Sequence, residues 1–241
     1  MKTQSRVLTL CIMFAVCIGL PVCGNCPRAS VELFARGAEL KSCMTKPELE
    51  LAVRELSLKQ TYRELETARL RLINNAKLST KCKAEVIGAI IKAMDKPQLD
   101  VYRDFHLWRY GAELLGELKA TEGLDLLIRH LSFTDGMSIN IAHYPAMVGV
   151  MKIGRPAIPK LGAALRRNSD ISYRYNAVFC IAQIGGPQAT HELRTAISTE
   201  SNSCVRKFIQ VSIDVLNNPR AIGKINEEDR ARWFASLSCK E

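Results

Sequence analysis

The stretch Lys152–Leu165, KIGRPAIPKLGAAL, places one glycine and two prolines between two apolar segments. The first segment ends at Ile153, and Gly154 suits the left-handed backbone that often follows a helix C-terminus. Pro156 and Pro159 are tolerated in the first turn of a new helix, where backbone amides have no intrahelical acceptor. The stretch therefore predicts the corner of a helical hairpin.

Variants of this corner recur along the chain. Three segments that begin YGAELLGELK, YPAMVGVMKI and YNAVFCIAQI align on Leu118, Ile153 and Ile184, which lie 35 and 31 residues apart. Looser members are AEVIGAII at 84–91 and IQVSIDVL at 209–216. Self-similarity at this period predicts stacked helical hairpins, in which each unit buries its apolar stripe against its neighbours.

An apolar helix that ends in Ile-Gly, followed by Pro-Ala-Ile-Pro and a leucine-rich helix, resembles HEAT repeats, specifically the short HEAT-like type first described in phycobilisome lyases. The resemblance is close at 144–165, fair at 175–198, and loose at 84–94, 110–131 and 205–217. It implies an all-α fold, an armadillo-type α-solenoid that binds other molecules, usually proteins, along one face. The lyase activity of some relatives does not follow from it.

Residues 1–24 have the pattern of a signal peptide. Lys2 and Arg6 form a positive n-region before the apolar run VLTLCIMFAVCIGLPV, and small residues precede the cleavage point after Gly24. A run of about 16 residues is shorter than the ~20 that a membrane-spanning helix needs. We therefore expect a secreted or periplasmic protein, with membrane anchoring as the less favoured alternative.

The mature chain is predicted to have two parts, an N-terminal segment at 25–80 and the repeat domain at 81–241. The segment contains a long helix from Glu48 to Leu78, because strong helix formers run there without an internal glycine or proline. Leucines recur every seven residues in this helix, but their companion positions are mostly polar. We expect one helix packed against the repeats, and a coiled coil stays open as the alternative.

The cysteines after the signal peptide are expected to form disulfides, because an exported protein meets an oxidising compartment. Cys204 and Cys239 lie at the start and end of the last predicted antiparallel hairpin, so we predict a bond between them. Cys26 and Cys43 flank a short segment before the long helix and are the second predicted pair. Cys82 is left unassigned.

The formal net charge of the chain is +10. This charge favours an acidic protein partner, or an anionic polymer or lipid of the cell envelope. We expect no nucleic-acid partner, because an exported protein rarely meets nucleic acid. Arg174 and Arg206 occupy equivalent positions in successive repeats and are predicted to form a short ladder that holds an acidic partner. Pairing with acidic neighbours such as Asp170 and Glu200 is the alternative.

Motifs for catalysis or cofactor binding are missing from the sequence. The four histidines form no HExxH motif, and there is no GxSxG elbow, Walker loop or GxGxxG. Glu113 and Glu117 lie one helical turn apart and could form a catalytic acid pair, but a solvent-exposed helix face is the simpler explanation of their positions. Cys180 lies on an apolar helix, where a buried free thiol is common. We predict no catalytic, cofactor or metal residues and no small-molecule substrate.

The sequence therefore predicts a noncatalytic module for protein binding or scaffolding that uses the concave face of the solenoid. Two alternatives stay open. One is an envelope module that holds an anionic polymer or lipid surface through its charge. The other is a lyase-like enzyme on a HEAT scaffold.

Overall fold

The computed structural model describes residues 42–57, 61–96, 98–134 and 141–218, and all regular structure in these ranges is helical. The signal-peptide prediction and the cysteines Cys26 and Cys239 lie outside the described residues. None of the described helices combines the length and apolar character needed to cross a membrane.

The described residues form ten α-helices: α1 Lys46–Glu55, α2 Tyr62–Ala76, α3 Thr80–Met94, α4 Val101–Glu117, α5 Leu124–Arg129, α6 Pro145–Ile153, α7 Ile158–Arg167, α8 Ile171–Ile184, α9 Pro187–Ile197 and α10 Ser203–Asn217. Short 3₁₀ turns at Thr121–Gly123, Ile141–His143 and Arg155–Ala157 precede α5, α6 and α7.

The helices stack in two rows. The even-numbered helices form one row, in which α2 contacts α4, α4 contacts α6, α6 contacts α8 and α8 contacts α10. In the odd-numbered row α1 contacts α3, α5 contacts α7 and α7 contacts α9, while α3 reaches the 3₁₀ turn before α5. The apolar core between the rows continues from Met44 to Ile213. The predicted all-α solenoid is confirmed.

Small residues let the helices of the even row approach closely. A Cβ atom at Gly149 of α6 would lie 2.6 Å from the carbonyl oxygen of Ala112 in α4, and one at Gly116 would lie 2.5 Å from the Cβ of Lys152. Such separations are too short for non-bonded atoms. These glycines are therefore required by the contact between α4 and α6.

The corners have the predicted backbone. Gly154 has a φ of +88° and Gly185, at the equivalent position after α8, has a φ of +71°. Pro156 lies in the 3₁₀ turn that follows, and α7 begins at Ile158. After α4 the equivalent residue is Lys119, which has a φ of +52°. A left-handed conformation costs a residue with a Cβ more than it costs glycine, so this corner is strained.

The prediction of one long helix from Glu48 to Leu78 is wrong. Helix α1 ends at Glu55, and α2 begins at Tyr62 with a new cap, in which Thr61 and Glu64 form a capping box. The prediction failed because strong helix formers continue through this break without a glycine or proline to mark it. Leu51 is 43% exposed whereas Leu72 is fully buried, so the leucines do not form a common seam.

Helices α1 and α2 pack against each other and against α3, so they extend the helix stack toward the N-terminus. The apolar core includes residues on both sides of position 80, and the predicted division of the chain there stays a prediction. The sequence pattern at 84–91 predicts the first helix of a hairpin, but these residues belong to α3, which lies in the odd row of second helices. The first helix of that hairpin is α2, in the segment that the alignment left uncovered.

Candidate binding groove

Arg174 and Arg206 meet on either side of Glu200, in the loop between α9 and α10. The Arg174 guanidinium donates to both carboxylate oxygens of Glu200, at 2.9 and 3.2 Å. Arg206 donates from Nε to the Glu200 carbonyl oxygen at 2.9 Å. The side chains of Arg174 and Glu200 are only 12% and 6% exposed. The two arginines thus clamp this loop, but only Arg174 pairs with a carboxylate as in the alternative interpretation, and it has little surface left for a partner.

Glu113 and Glu117 of α4 take part in ion pairs between helices of the even row. Glu117 accepts from Arg69 of α2 at 2.7 Å, and Glu113 accepts from Lys152 of α6 at 2.7 Å. Glu66 holds the other side of the Arg69 guanidinium at 2.6 Å. The two carboxylates therefore connect three stacked helices and are not arranged as an acid pair.

The disulfide prediction needs one correction. Cys43 is bonded to Cys82, with the two Cα atoms 5.2 Å apart, so the predicted Cys26–Cys43 pair is wrong. The fold explains the observed pair, because Cys43 lies just before α1 and Cys82 lies in the first turn of the neighbouring α3. Cys204 is also disulfide-bonded. Its predicted partner Cys239 lies outside the described residues, so that pair stays a prediction.

Cys180 is the free cysteine of the described residues, and it lies in the core on α8. Its side chain is fully buried, and burial raises the pKa of the thiol well above its ordinary value. A thiol that does not ionise is a poor nucleophile and a poor metal ligand. This residue therefore has a packing role.

The described residues line an open groove between α1 and α3, with a volume of about 790 Å³. Helix-spaced residues of both helices form its walls. Those of α1 are Lys46, Leu49, Glu50, Val53 and Arg54, and those of α3 are Lys81, Glu85, Gly88, Ala89, Lys92 and Ala93. A volume of this size is within the usual range for ligand-binding sites.

The floor of the groove is apolar. Leu49 and Val53 of α1 are 5% and 3% exposed, and the buried Leu107 of α4 also lines the groove. The α3 wall carries small residues, Gly88 and Ala89. A Cβ atom added at Gly88 would meet no heavy atom within 4 Å, so the groove is open above this residue.

The rim of the groove is mainly basic. It carries five cations, Lys46, Arg54, Lys81, Lys92 and Lys96, and two carboxylates, Glu50 and Glu85. Glu50 lies 3.8 Å from Lys92, and both of these side chains are well exposed. An exposed pair at this distance is weak, so the rim keeps an excess of positive charge.

Caps and a covalent bond fix the two walls. Thr45 and Glu48 form a capping box at the start of α1, and hydrogen bonds from the Thr45 amide and hydroxyl lower the pKa of the Glu48 carboxyl. Ser79 caps α3 by accepting from the Cys82 amide at 3.1 Å. The Cys43–Cys82 bond then ties the starts of both helices together, so α1 and α3 run side by side in the same direction.

A second, polar cavity of about 630 Å³ continues from the groove at Ser57 and Lys96. Its charged groups are paired, because Lys96 bonds to the buried Asp104 and Arg103 lies 3.1 Å from Asp100. Among the described residues no group of three or more His, Cys, Asp or Glu side chains is placed to hold a metal ion.

Comparison with protein families gives one match. Residues 173–199 match the model described as the PBS lyase HEAT-like repeat. The match covers most of the hairpin of α8 and α9, and it confirms the HEAT-like resemblance seen in the sequence. No curated protein sequence shows a significant match to the chain.

Proposed function

We propose that this protein is an exported, noncatalytic module that binds a partner protein, and that the groove between α1 and α3 is its principal contact surface. The observation that carries the proposal is the apolar floor of the groove, which is open beside Gly88 of the α3 wall. Helical repeats supply such continuous surfaces without dependence on any single residue. The all-α, HEAT-like fold is a finding, whereas export and partner binding are the proposal.

The lining of the groove supports binding rather than catalysis. Its ionisable side chains are lysines, an arginine and two glutamates on the rim, and its floor consists of aliphatic side chains. It includes no histidine and no free thiol. An apolar centre with a charged rim is the usual anatomy of a protein-binding surface.

Site-specific photocrosslinking in the producing cell tests the proposal. A photoreactive phenylalanine analogue replaces Gly88 in one variant and the exposed Lys207 of α10, remote in sequence from the groove, in the other. We expect discrete protein adducts from position 88 that position 207 does not give, with the partner identified by mass spectrometry. Identical adducts from both positions, or none from position 88, would refute the groove as a contact surface.

The basic rim also favours one alternative, binding of an anionic polymer or lipid surface. Lys46, Arg54 and Lys81 form no ion pair with the described residues and are free to contact phosphate or carboxylate groups. Binding of that kind weakens steeply as salt rises, whereas contact with an apolar floor does not. Retention of the protein on phosphatidylglycerol vesicles at low and high salt therefore distinguishes the two functions.

A further inference from the structure

We propose that the groove between α1 and α3 receives an amphipathic α-helix of the partner protein, with aspartate or glutamate residues on both sides of its apolar stripe. This inference rests on the proposed binding function and specifies the chemistry of the partner. Three features of the groove carry it: the type of its walls, the shape of its floor and the charge of its rim.

The walls of the groove select the mode of recognition. Addition of a strand requires an unpaired sheet edge, and the described residues contain no strand. Recognition of a polyproline segment uses a groove lined with aromatic side chains, whereas this lining contains none. An amphipathic helix needs only an apolar channel between rigid elements, and α1 and α3 provide one.

The floor accommodates the side chains of a third helix. Gly88, Ala89 and Ala93 make the α3 wall low, while Leu49 and Val53 give apolar contact on the α1 side. Packed helices lie roughly 8–10 Å apart, and small residues at the contact allow the shorter separations. Since a Cβ at Gly88 meets nothing within 4 Å, a large apolar residue of the bound helix would lie over this glycine.

The rim sets the charge of the partner. Lys46 and Arg54 lie on the α1 wall and Lys81 lies on the α3 wall, so cations without an ion-pair partner among the described residues flank the floor on both sides. Carboxylates on both edges of the apolar stripe would meet these cations, and they would also speed the encounter of the two proteins. A helix with basic edges would instead be repelled.

Four synthetic peptides of equal length probe the groove by fluorescence anisotropy with the purified protein. The first is an amphipathic helix with leucines at helical spacing and glutamate edges. The second has lysine in place of each glutamate, the third is a scrambled version of the first, and the fourth carries a central proline that breaks the helix. We expect the first to bind and the other three to bind at least about tenfold more weakly.

Protein variants locate the binding. Gly88→Leu fills the open space beside the α3 wall, and it keeps the fold because this site is open and leucine has a higher helix propensity than glycine. We expect at least about tenfold weaker binding of the glutamate peptide, as loss of one buried leucine contact predicts. Arg54→Glu with Lys81→Glu reverses one charge on each wall and should exchange the preferences for the glutamate and lysine peptides.

A matched control carries Arg167→Glu and Lys207→Glu, two exposed positions on α7 and α10 with the same change in net charge. It should leave the peptide preference unchanged. Circular dichroism of each variant checks that the helices are retained. Equal effects of the control and the groove variants would overturn the proposal, because they would show that net charge alone attracts the peptide.

Other outcomes also overturn it. Equal binding of the scrambled or proline-containing peptide would exclude recognition of a helix. If no peptide binds, but the protein binds phosphatidylglycerol vesicles equally well with and without Gly88→Leu, the basic rim would instead serve to bind an anionic lipid surface. Failure of this inference is distinguishable from failure of the proposed function. If position 88 crosslinks a protein but the glutamate peptide does not bind, the function stands and the partner chemistry is wrong.

Discussion

Removal of the Cys43–Cys82 bond is the perturbation with the largest expected effect on the α1 wall of the groove. Cys43→Ser with Cys82→Ala deletes the bond, and alanine keeps an apolar side chain at a position that is 1% exposed. The bond closes a loop between residues 39 apart in sequence. In the chain-entropy description a loop of this length stabilises the folded state by about 4 kcal/mol, because it restricts the unfolded chain.

Urea denaturation followed by circular dichroism measures this difference, with the free energy of unfolding extrapolated linearly to water. Hydrogen exchange adds the location of the effect. We expect faster exchange of α1 amides relative to those of α8, because α1 is the first described helix of the stack and loses its covalent tie to α3. Cys43→Ser with Cys82→Val is the companion variant, which separates loss of the bond from loss of side-chain volume.

A loss of less than about 1 kcal/mol in both double variants would refute this reasoning, because the restriction of the unfolded chain would then be far smaller than loop closure predicts. An equal increase in exchange at α1 and α8 would refute the second step, since it would show that the stack unfolds as one unit. With α1 released but the other helices intact, peptide binding at the groove should also be lost.

Three further predictions concern the corners, the loop clamp and a half-buried histidine. The backbone φ is positive at both Gly154 and Lys119, a conformation that glycine adopts more easily than residues with a Cβ. Gly154→Ala should therefore lower the free energy of unfolding by about 1 kcal/mol, whereas Lys119→Gly should not lower it. Thermal and urea denaturation compare the two. Glu200→Gln should cost about 3 kcal/mol in the same assay, since it leaves the Arg174 guanidinium buried without its carboxylate; a loss below about 1 kcal/mol would contradict this. Burial lowers the pKa of His130, so the unfolded chain binds this proton more readily than the folded protein. Stability should therefore fall as pH drops below about 6.5, and less so in His130→Phe; parallel pH profiles of the two proteins would exclude His130 as the cause.

The corners could be predicted from sequence because their determinants are local. Gly154 needs only its own backbone conformation, and Pro156 needs only an amide position without an acceptor. The break between α1 and α2 is also local, since Thr61 and Glu64 form a capping box. The prediction missed this break because the helix formers on both sides of it run on without a glycine or proline.

The groove and its disulfide depend on contacts between segments that are distant in sequence. Cys43 and Cys82 meet only because α1 and α3 are neighbours in one row, and the sequence did not show that α3 belongs to that row. A usable signal was present in α3, where Gly88, Ala89 and Ala93 are small and Lys81 and Lys92 flank them. Small residues with basic neighbours on one helix face predict an open surface, but only after the helix has been assigned to the correct row of the stack.

The repeat pattern and the candidate site lie in different parts of the chain, and there is a physical reason for this. In α8, where the family model matches, the conspicuous side chains are used for stacking: the Tyr173 hydroxyl donates to the Ile128 carbonyl oxygen at 2.6 Å, and the Tyr175 ring stacks on Phe208 at 4.0 Å. A side chain that donates a hydrogen bond to a neighbouring hairpin, or packs against it, has little surface left for a ligand. Helix α1 lies in the segment that the repeat alignment leaves uncovered, α3 matches the pattern only loosely, and the seam between them is open. A search for binding residues in such a protein should therefore begin where the repeat signature is weakest.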